Sequence, residues 1–140
     1  MADIFTREKR SEIMASIRSV SKLERAFAKI LSKTTHPRGY RYRLNYKNVP
    51  GRPDIAFVSR KVAVFVDGDF WHGYRFREKR HKLPSEFWVA KIENNMRRDR
   101  RNRTALKKMG WRHVRLWEHE IRKQPDRCVR KVMELLGAVE

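Results

Sequence analysis

Three carboxylates and a histidine lie close together in residues 51–72, on two short segments with the composition of β-strands. Asp54 begins the first segment, and Asp67 and Asp69 end the second. If the segments pair as a hairpin, Asp54 lies near the end of the second strand. A sheet collects oxygen ligands for a hard cation such as Mg²⁺ in this way. A plain turn role for Asp54 is the alternative.

The histidine is His72, which follows the second strand directly. Histidine is the side chain whose ordinary pKa suits a general base near neutral pH. Asp99 lies on the apolar stripe of a long predicted helix, where it either forms an ion pair with Arg103 at i+4 or orients a catalytic histidine. Glu24 completes a Ser-x-x-Glu capping box that begins at Ser21, so a role in a metal site would be additional.

The charge of the chain indicates its partner. Lys and Arg number 35 and Asp and Glu 16, a formal net charge of +19 over 140 residues. A charge of this size favours a polyanion as partner, and residues 74–80 mix aromatic and basic side chains that suit nucleic acid. No stretch approaches the roughly 20 apolar residues of a membrane-spanning helix. The charged first ten residues and the single cysteine, Cys128, favour a cytoplasmic protein.

Hydrophobic spacing predicts a single α/β domain of residues 1–140, with residues 1–20 as a basic N-terminal helical arm. Helices are predicted at residues 6–19, 21–36, 84–108 and 125–136, and strands at residues 40–44, 54–58, 61–67 and 111–117. The strand at residues 61–67 is apolar on both faces, which indicates a central strand. The predicted architecture is a mixed sheet flanked by helices.

The ordered motifs of residues 3–122 resemble the very short patch repair (Vsr) DNA mismatch endonucleases. The motifs are Gly51-Arg52-Pro53-Asp54, Val64-Phe65-Val66-Asp67-Gly68-Asp69-Phe70-Trp71-His72-Gly73, Glu86-Phe87-Trp88, Arg98-Asp99-Arg100-Arg101, Gly110-Trp111-Arg112 and Leu116-Trp117-Glu118. The resemblance implies a restriction-endonuclease-like fold. It also implies a Mg²⁺-dependent enzyme that nicks one strand 5′ to the thymine of a T:G mismatch left by deamination of 5-methylcytosine.

The resemblance also implies roles for individual residues. Asp54 matches the metal-binding aspartate, and the main-chain carbonyl of Val66 is a further Mg²⁺ ligand. His72 matches the general base and Asp99 the carboxylate that supports it. Glu24 matches the N-terminal acidic residue of the site.

Aromatic and basic residues are implied to contact DNA. Phe70, Trp71 and Trp88 match aromatics that wedge into the duplex beside the mismatch, where unstacking is cheapest; core packing is the alternative for each. Further DNA contacts are expected from Arg10, Met14, Arg18, Arg52 and Arg98. The expected partner is mismatched double-stranded DNA at the nucleoid, with a functional link to a DNA cytosine methyltransferase and mismatch repair proteins, and no membrane.

The chain departs from the family pattern at two places. Zinc-bearing relatives hold a structural zinc with Cys and His where this chain has Asp69, Tyr74, Phe76 and His119, which cannot form a closed thiolate site. We therefore predict no zinc, with packing of Tyr74 and Phe76 in its place. The second departure is Asp67, often His in those relatives, which either adds a carboxylate to the metal site or caps the turn at Gly68.

Two other functions are compatible with the sequence. A Vsr-like restriction or homing-type enzyme would cut intact duplex DNA, and a DNA-binding module would have lost catalysis. The complete set of Glu24, Asp54, His72 and Asp99 argues against the module.

Overall fold

The computed structural model of the protein describes the backbone of residues 7–69 and 86–137 and the side chains of residues 21–69 and 86–137. The helices are α1 (Arg7–Thr35), α2 (Glu86–Lys108), α3 (Glu118–Lys123) and α4 (Pro125–Leu135). The strands are β1 (Arg43–Leu44), β2 (Ile55–Phe57), β3 (Val62–Asp67) and β4 (Arg112–Trp117). Two single 3₁₀ turns, His36–Arg38 and Val58–Arg60, follow α1 and β2.

The four strands form one mixed sheet in the order β1-β2-β3-β4. β2 and β3 are antiparallel and form the predicted hairpin, which turns through Val58–Arg60 and a left-handed Lys61. β3 and β4 are parallel over six residue pairs, from Val62 beside Arg112 to Asp67 beside Trp117. The parallel pair needs a long crossover, and α2 lies between the two strands in the chain. The mixed sheet that the sequence predicts is confirmed.

β3 is the central strand, and its alternating side chains contribute to two apolar clusters. Val62, Val64 and Val66 pack in one cluster with residues of α1, β4 and α4. Ala63 belongs to the other, against which Phe65 packs. The first cluster includes Phe27, Leu31, Leu116, Val132 and Met133, and the second includes Val49, Ala56, Leu106 and Trp111. Both faces of β3 are therefore covered, as its apolar sequence predicts.

The N-terminal helix differs from the prediction. The sequence indicated one helix over residues 6–19 and a second that begins at Ser21, whereas α1 runs without a break from Arg7 to Thr35. No Gly or Pro interrupts that segment, and a Ser-x-x-Glu pattern is also tolerated inside a helix. The capping-box role of Ser21 and Glu24 is therefore wrong.

The short helix α3 was not predicted. It begins directly after β4, where the main-chain N–H of Trp117 donates to Glu120 Oε1 at 3.2 Å. Ile121 is its buried residue, and Lys131 of α4 donates to Glu120 Oε2 at 2.9 Å. Burial acts to raise the pKa of Glu120, but the hydrogen bonds from Lys131 and Trp117 outweigh it and the net pKa is lowered. Glu120 thus stabilises the junction of β4, α3 and α4.

Candidate active site

A cleft of about 910 Å³ opens beside the sheet, and every layer of the fold contributes to its lining. Four carboxylates lie along it, one each from α1, the start of β2, the end of β3 and α2: Glu24, Asp54, Asp67 and Asp99. Six basic side chains share the lining: Lys47, Arg52, Lys91, Arg98, Arg103 and Arg115. Acidic groups suited to a cation thus lie within a lining that is net positive and attracts phosphate.

Asp54 is fixed by the hairpin. The main-chain N–H of Val66 donates to Asp54 Oδ2 at 2.6 Å, across the end of the β2–β3 pair. The carbonyl of Asp54 in turn accepts from the N–H of Asn45 at 2.9 Å, which continues the pairing of β1 with β2. Asp54 and Val66 therefore lie together, as hairpin pairing of the two segments predicted.

The turn before Asp54 depends on a glycine. Gly51 has φ +87°, and a Cβ placed on it would lie 3.0 Å from Cε1 of Phe65 and 3.3 Å from Cβ of Asn102. A larger residue would therefore meet strain from its own backbone and contacts with β3 and α2. Gly51 lets the loop approach the sheet closely enough to deliver Asp54 to the cleft.

Asp67 and Asp99 share one partner, Arg115 of β4. Nε of Arg115 donates to Asp67 Oδ2, and its second terminal nitrogen lies 3.6 Å from Asp99 Oδ2. The guanidinium carbon also lies 4.2 Å from the centroid of the Trp117 ring. The sequence had offered Arg103 as the partner of Asp99, and no signal within either segment indicated Arg115.

The charges of Asp67, Asp99 and Arg115 also act on Arg103. Burial lowers the pKa of Arg103 first and repulsion from Arg115 lowers it further, while attraction from Asp99 and Asp67 opposes both. Arg103, the predicted partner of Asp99, is therefore close enough for the Asp99 charge to attract it.

The donor set fits a hard cation that keeps part of its water shell. Among residues 21–69 and 86–137, no three His, Cys, Asp or Glu side chains converge closely enough to hold a metal by themselves. Mg²⁺ is usually bound by one or two carboxylates with waters and substrate phosphates, and it does not need an all-protein cage. Asp54 and the adjoining main chain of Val66 provide such a partial set. Glu24 lines the same cleft and is a candidate to add a carboxylate to this set.

The other predicted site residues are placed as follows. Phe70, Trp71 and His72 lie outside the described residues, as do the side chains of Arg10, Met14 and Arg18 within α1. Arg52 and Arg98 are exposed and line the cleft.

Trp88 is buried, with 7% of its surface exposed. Its ring meets that of Phe87 edge to face at 5.5 Å, and Phe87 is 51% exposed. Insertion of Trp88 into a duplex would therefore require it to leave this position. Phe87 is the accessible member of the pair, and sequence reasoning overlooked it.

Of the four positions that the resemblance matches to zinc ligands, two contact each other. Nδ1 of His119 lies 2.9 Å from Oδ1 of Asp69. The main-chain N–H of Asp69 also donates to Glu118 Oε1 at 3.0 Å. These contacts join the end of β3 to the start of α3. The other two positions, Tyr74 and Phe76, lie outside the described residues.

A mixed sheet between helices, with a carboxylate cleft and a basic lining, defines a candidate metal-dependent phosphodiesterase. Comparison with known proteins identifies the family. A family profile described as DNA mismatch endonuclease Vsr matches residues 2–84. The type II nicking enzyme V.NmeDIP of Neisseria meningitidis serogroup C is 40% identical over 135 residues, which cover 94% of this chain and 88% of the relative.

Two further relatives agree. The type II nicking enzyme V.XorIIP of Xanthomonas oryzae pv. oryzae is 40% identical, covering 86% of this chain and 88% of its own. The DNA mismatch endonuclease Vsr of Escherichia coli is 32% identical, covering 87% of this chain and 77% of its own. The chain belongs to the Vsr family of DNA endonucleases.

Family membership makes the protein a phosphodiester hydrolase that acts on DNA, with a restriction-endonuclease-like fold. Enzymes of the family generally depend on a divalent metal. No helix in the described part of the chain is long and apolar enough to cross a membrane.

Proposed function

We propose that this protein is a Mg²⁺-dependent endonuclease that nicks one strand of DNA 5′ to the thymine of a T:G mismatch. The observation that carries the proposal is the cleft in which Asp54, held by the N–H of Val66, lies among basic side chains. The name of the Escherichia coli relative includes mismatch cleavage, and several other relatives are named nicking enzymes. Nicking and mismatch recognition are thus each supported by a relative.

Each part of the cleft has a role in this reaction. Asp54 and the carbonyl of Val66 would hold the metal, with Glu24 adding a carboxylate from α1. A divalent metal bound there supplies Lewis-acid stabilisation of the charge on the scissile phosphate. Arg52 and Arg98 would contact the DNA backbone, because both are exposed on the lining.

Proton transfer and mismatch selection rest on the family resemblance. His72 would take a proton from the attacking water, and Asp99 would support it. Phe70 and Trp71 would enter the duplex beside the mispair, where separating a base step costs less than in paired DNA. Trp88 would join them by leaving its buried position. A T:G pair formed by deamination of 5-methylcytosine links the enzyme to a DNA cytosine methyltransferase and to mismatch repair. The enzyme would act in the cytoplasm, at the nucleoid, where this DNA lies.

The test is single-turnover cleavage of duplexes labelled on both strands. Three duplexes of one sequence carry T:G, T:A or C:G at the central position, and a panel varies the flanking bases. We expect one nick, on the thymine strand of the T:G duplex, in Mg²⁺ and not in EDTA. Equal double-strand cleavage of the T:G and T:A duplexes would replace this proposal with a restriction-type activity, and equal weak binding without cleavage would indicate a binding module.

Two variants link cleavage to the cleft. Asp54→Asn removes the proposed metal ligand with little change in shape and should abolish the nick. Asp126→Asn makes the same chemical change at an exposed position of α4 and should leave the nicking rate unchanged.

A further inference from the structure

Arg115 lines the cleft and contacts two of its carboxylates, Asp67 and Asp99. Arg115 lies on the same face of the sheet as Asp67, because side chains alternate along a strand and Phe65 and Arg115 are paired in the parallel register. Its side chain is 22% exposed, and those of Asp67 and Asp99 are 9% and 14% exposed. These three charged groups are thus substantially removed from water.

The geometry points to Arg115 as a positioning residue that keeps Asp67 and Asp99 in one ion-pair network and leaves metal binding to the Asp54 side of the cleft. The inference rests on the proposed metal-dependent nicking and assigns Asp67, one of the candidate metal ligands, to a different role. The first observation in its favour is that the Arg115 guanidinium contacts two carboxylates from different elements, Asp67 of β3 and Asp99 of α2.

The second support is the stacking surface. The guanidinium carbon lies 4.2 Å from the centroid of the Trp117 ring. The guanidinium is therefore stacked on an aromatic ring as well as paired through its nitrogens with carboxylates. A planar guanidinium can combine such stacking with a forked set of donors, which a lysine ammonium cannot do. The position of Arg115 is therefore fixed from three directions.

The third observation concerns the energetic cost that metal binding by Asp67 would carry. If Asp67 bound the metal through the oxygen that now accepts from Nε, the Arg115 pair would have to break in a site with little water. Removing one partner from a partly buried pair leaves an uncompensated charge, which is far more costly than the same loss at the surface. The hydrogen bond between Val66 and Asp54 is of a different kind, because its donor is a neutral main-chain N–H.

Asp99 is the functional target of this arrangement. It reaches the cleft from α2, whereas Arg115 comes from β4, so the pair fixes the helix carboxylate relative to the sheet. Loss of Arg115 would leave Asp67 and Asp99 as neighbouring like charges on two elements. We therefore expect the chemical step to slow while DNA binding is preserved.

The experiment measures metal binding and nicking separately. Binding of Mn²⁺ to the full-length protein without DNA is followed by electron paramagnetic resonance, so this readout does not depend on which duplex is the substrate. Asp67→Asn should bind Mn²⁺ within about twofold of wild type, whereas Asp54→Asn should bind at least tenfold more weakly. A tenfold loss in Asp67→Asn would overturn the inference and make Asp67 a ligand.

Nicking then tests the positioning role. Arg115→Gln should lower kcat at least tenfold with KM for the duplex changed by less than twofold, and Arg115→Lys should restore part of kcat. Arg112→Gln, an exposed arginine on the same strand, removes the same charge and is the matched control. A rise in KM with kcat unchanged would instead make Arg115 a DNA contact, and kcat equal to that of the control would refute a positioning role.

A failure of the proposed function can be distinguished from a failure of the Arg115 assignment. If the protein does not select T:G but cleaves another duplex, the comparison of kcat and KM is made on that duplex and the Mn²⁺ results stand. If thermal unfolding shows that Arg115→Gln is not folded, Arg115→Lys and Asp67→Asn still decide the assignment.

Discussion

Asp54 should stabilise the fold as well as serve the reaction, and two substitutions can separate these roles. The N–H of Val66 is the donor to its Oδ2 at 2.6 Å, and Val66 is 4% exposed. Asp54→Asn keeps an oxygen that can accept this hydrogen bond, while Asp54→Ala leaves the N–H without that acceptor. Both variants should lose Mg²⁺-dependent nicking, but they should differ in stability.

The size of the difference follows from the hydrogen bond. An unsatisfied buried donor costs about 1–3 kcal/mol. Both variants remove the same charge from the neighbourhood of Glu24, Asp67 and Asp99, so relief of repulsion cancels in the comparison. For a chain of this size, 1 kcal/mol corresponds to roughly 3–4 °C. Asp54→Ala should therefore unfold about 3–12 °C below Asp54→Asn.

The assay is thermal unfolding followed by circular dichroism in EDTA. Excluding metal matters because a bound ligand stabilises the folded state by mass action and would add a second cause. Equal unfolding temperatures for the two variants would refute the structural role of the carboxylate, and the Val66 contact would then contribute nothing measurable.

Three further outcomes are expected. Leu116→Ala removes a side chain that is 0% exposed within the main core and should lower the free energy of unfolding by about 2–5 kcal/mol. Met109→Ala, at a side chain that is 48% exposed, should change the free energy of unfolding little. Similar losses in the two variants would contradict the packing of β4. Burial, and then repulsion from Arg103 and Lys107, lowers the pKa of His113 below 6.5, so its contribution to stability is full above that value and is lost as pH falls through the folded pKa. Between about pH 7.5 and pH 5, the unfolding temperature of His113→Gln should therefore fall less than that of wild type. An equal fall would exclude His113 as a cause of the pH dependence of stability. Metal analysis of the purified protein should find no stoichiometric zinc, because Asp69 and His119 form a hydrogen-bonded pair and the chain has one cysteine; one zinc per chain would contradict this.

Local sequence patterns predicted all four strands of the sheet, although the strand expected at residues 40–44 forms only over Arg43–Leu44. The apolar residues on both faces of residues 61–67 indicated a central strand, and the short link before it indicated a hairpin. The hairpin brings Asp54 to Val66. These features depend on neighbours in the chain, so periodicity and turn length can reveal them. The same reasoning placed the ends of β4 and α4 within one residue.

Local patterns failed where the structure depends on distant partners. Arg115 is separated from Asp67 by 48 residues, and their contact follows from the parallel register of β3 with β4, which no turn fixes. The pairing of Asp69 with His119, 50 residues apart, has the same origin. The break predicted at Ser21 failed for a different reason, since a capping signature has no effect where the helix simply continues.

The most direct test of the central claim is the Mg²⁺ dependence of nicking on a T:G duplex by wild type, Asp54→Asn and the control Asp126→Asn. We expect wild type and Asp126→Asn to make one nick 5′ to the mispaired thymine, at rates that rise and saturate with Mg²⁺. Asp54→Asn should make no nick at any Mg²⁺ concentration. Nicking by Asp54→Asn at the wild-type rate, or nicking in EDTA, would contradict the assignment of Asp54 as the metal ligand of a Mg²⁺-dependent nicking enzyme.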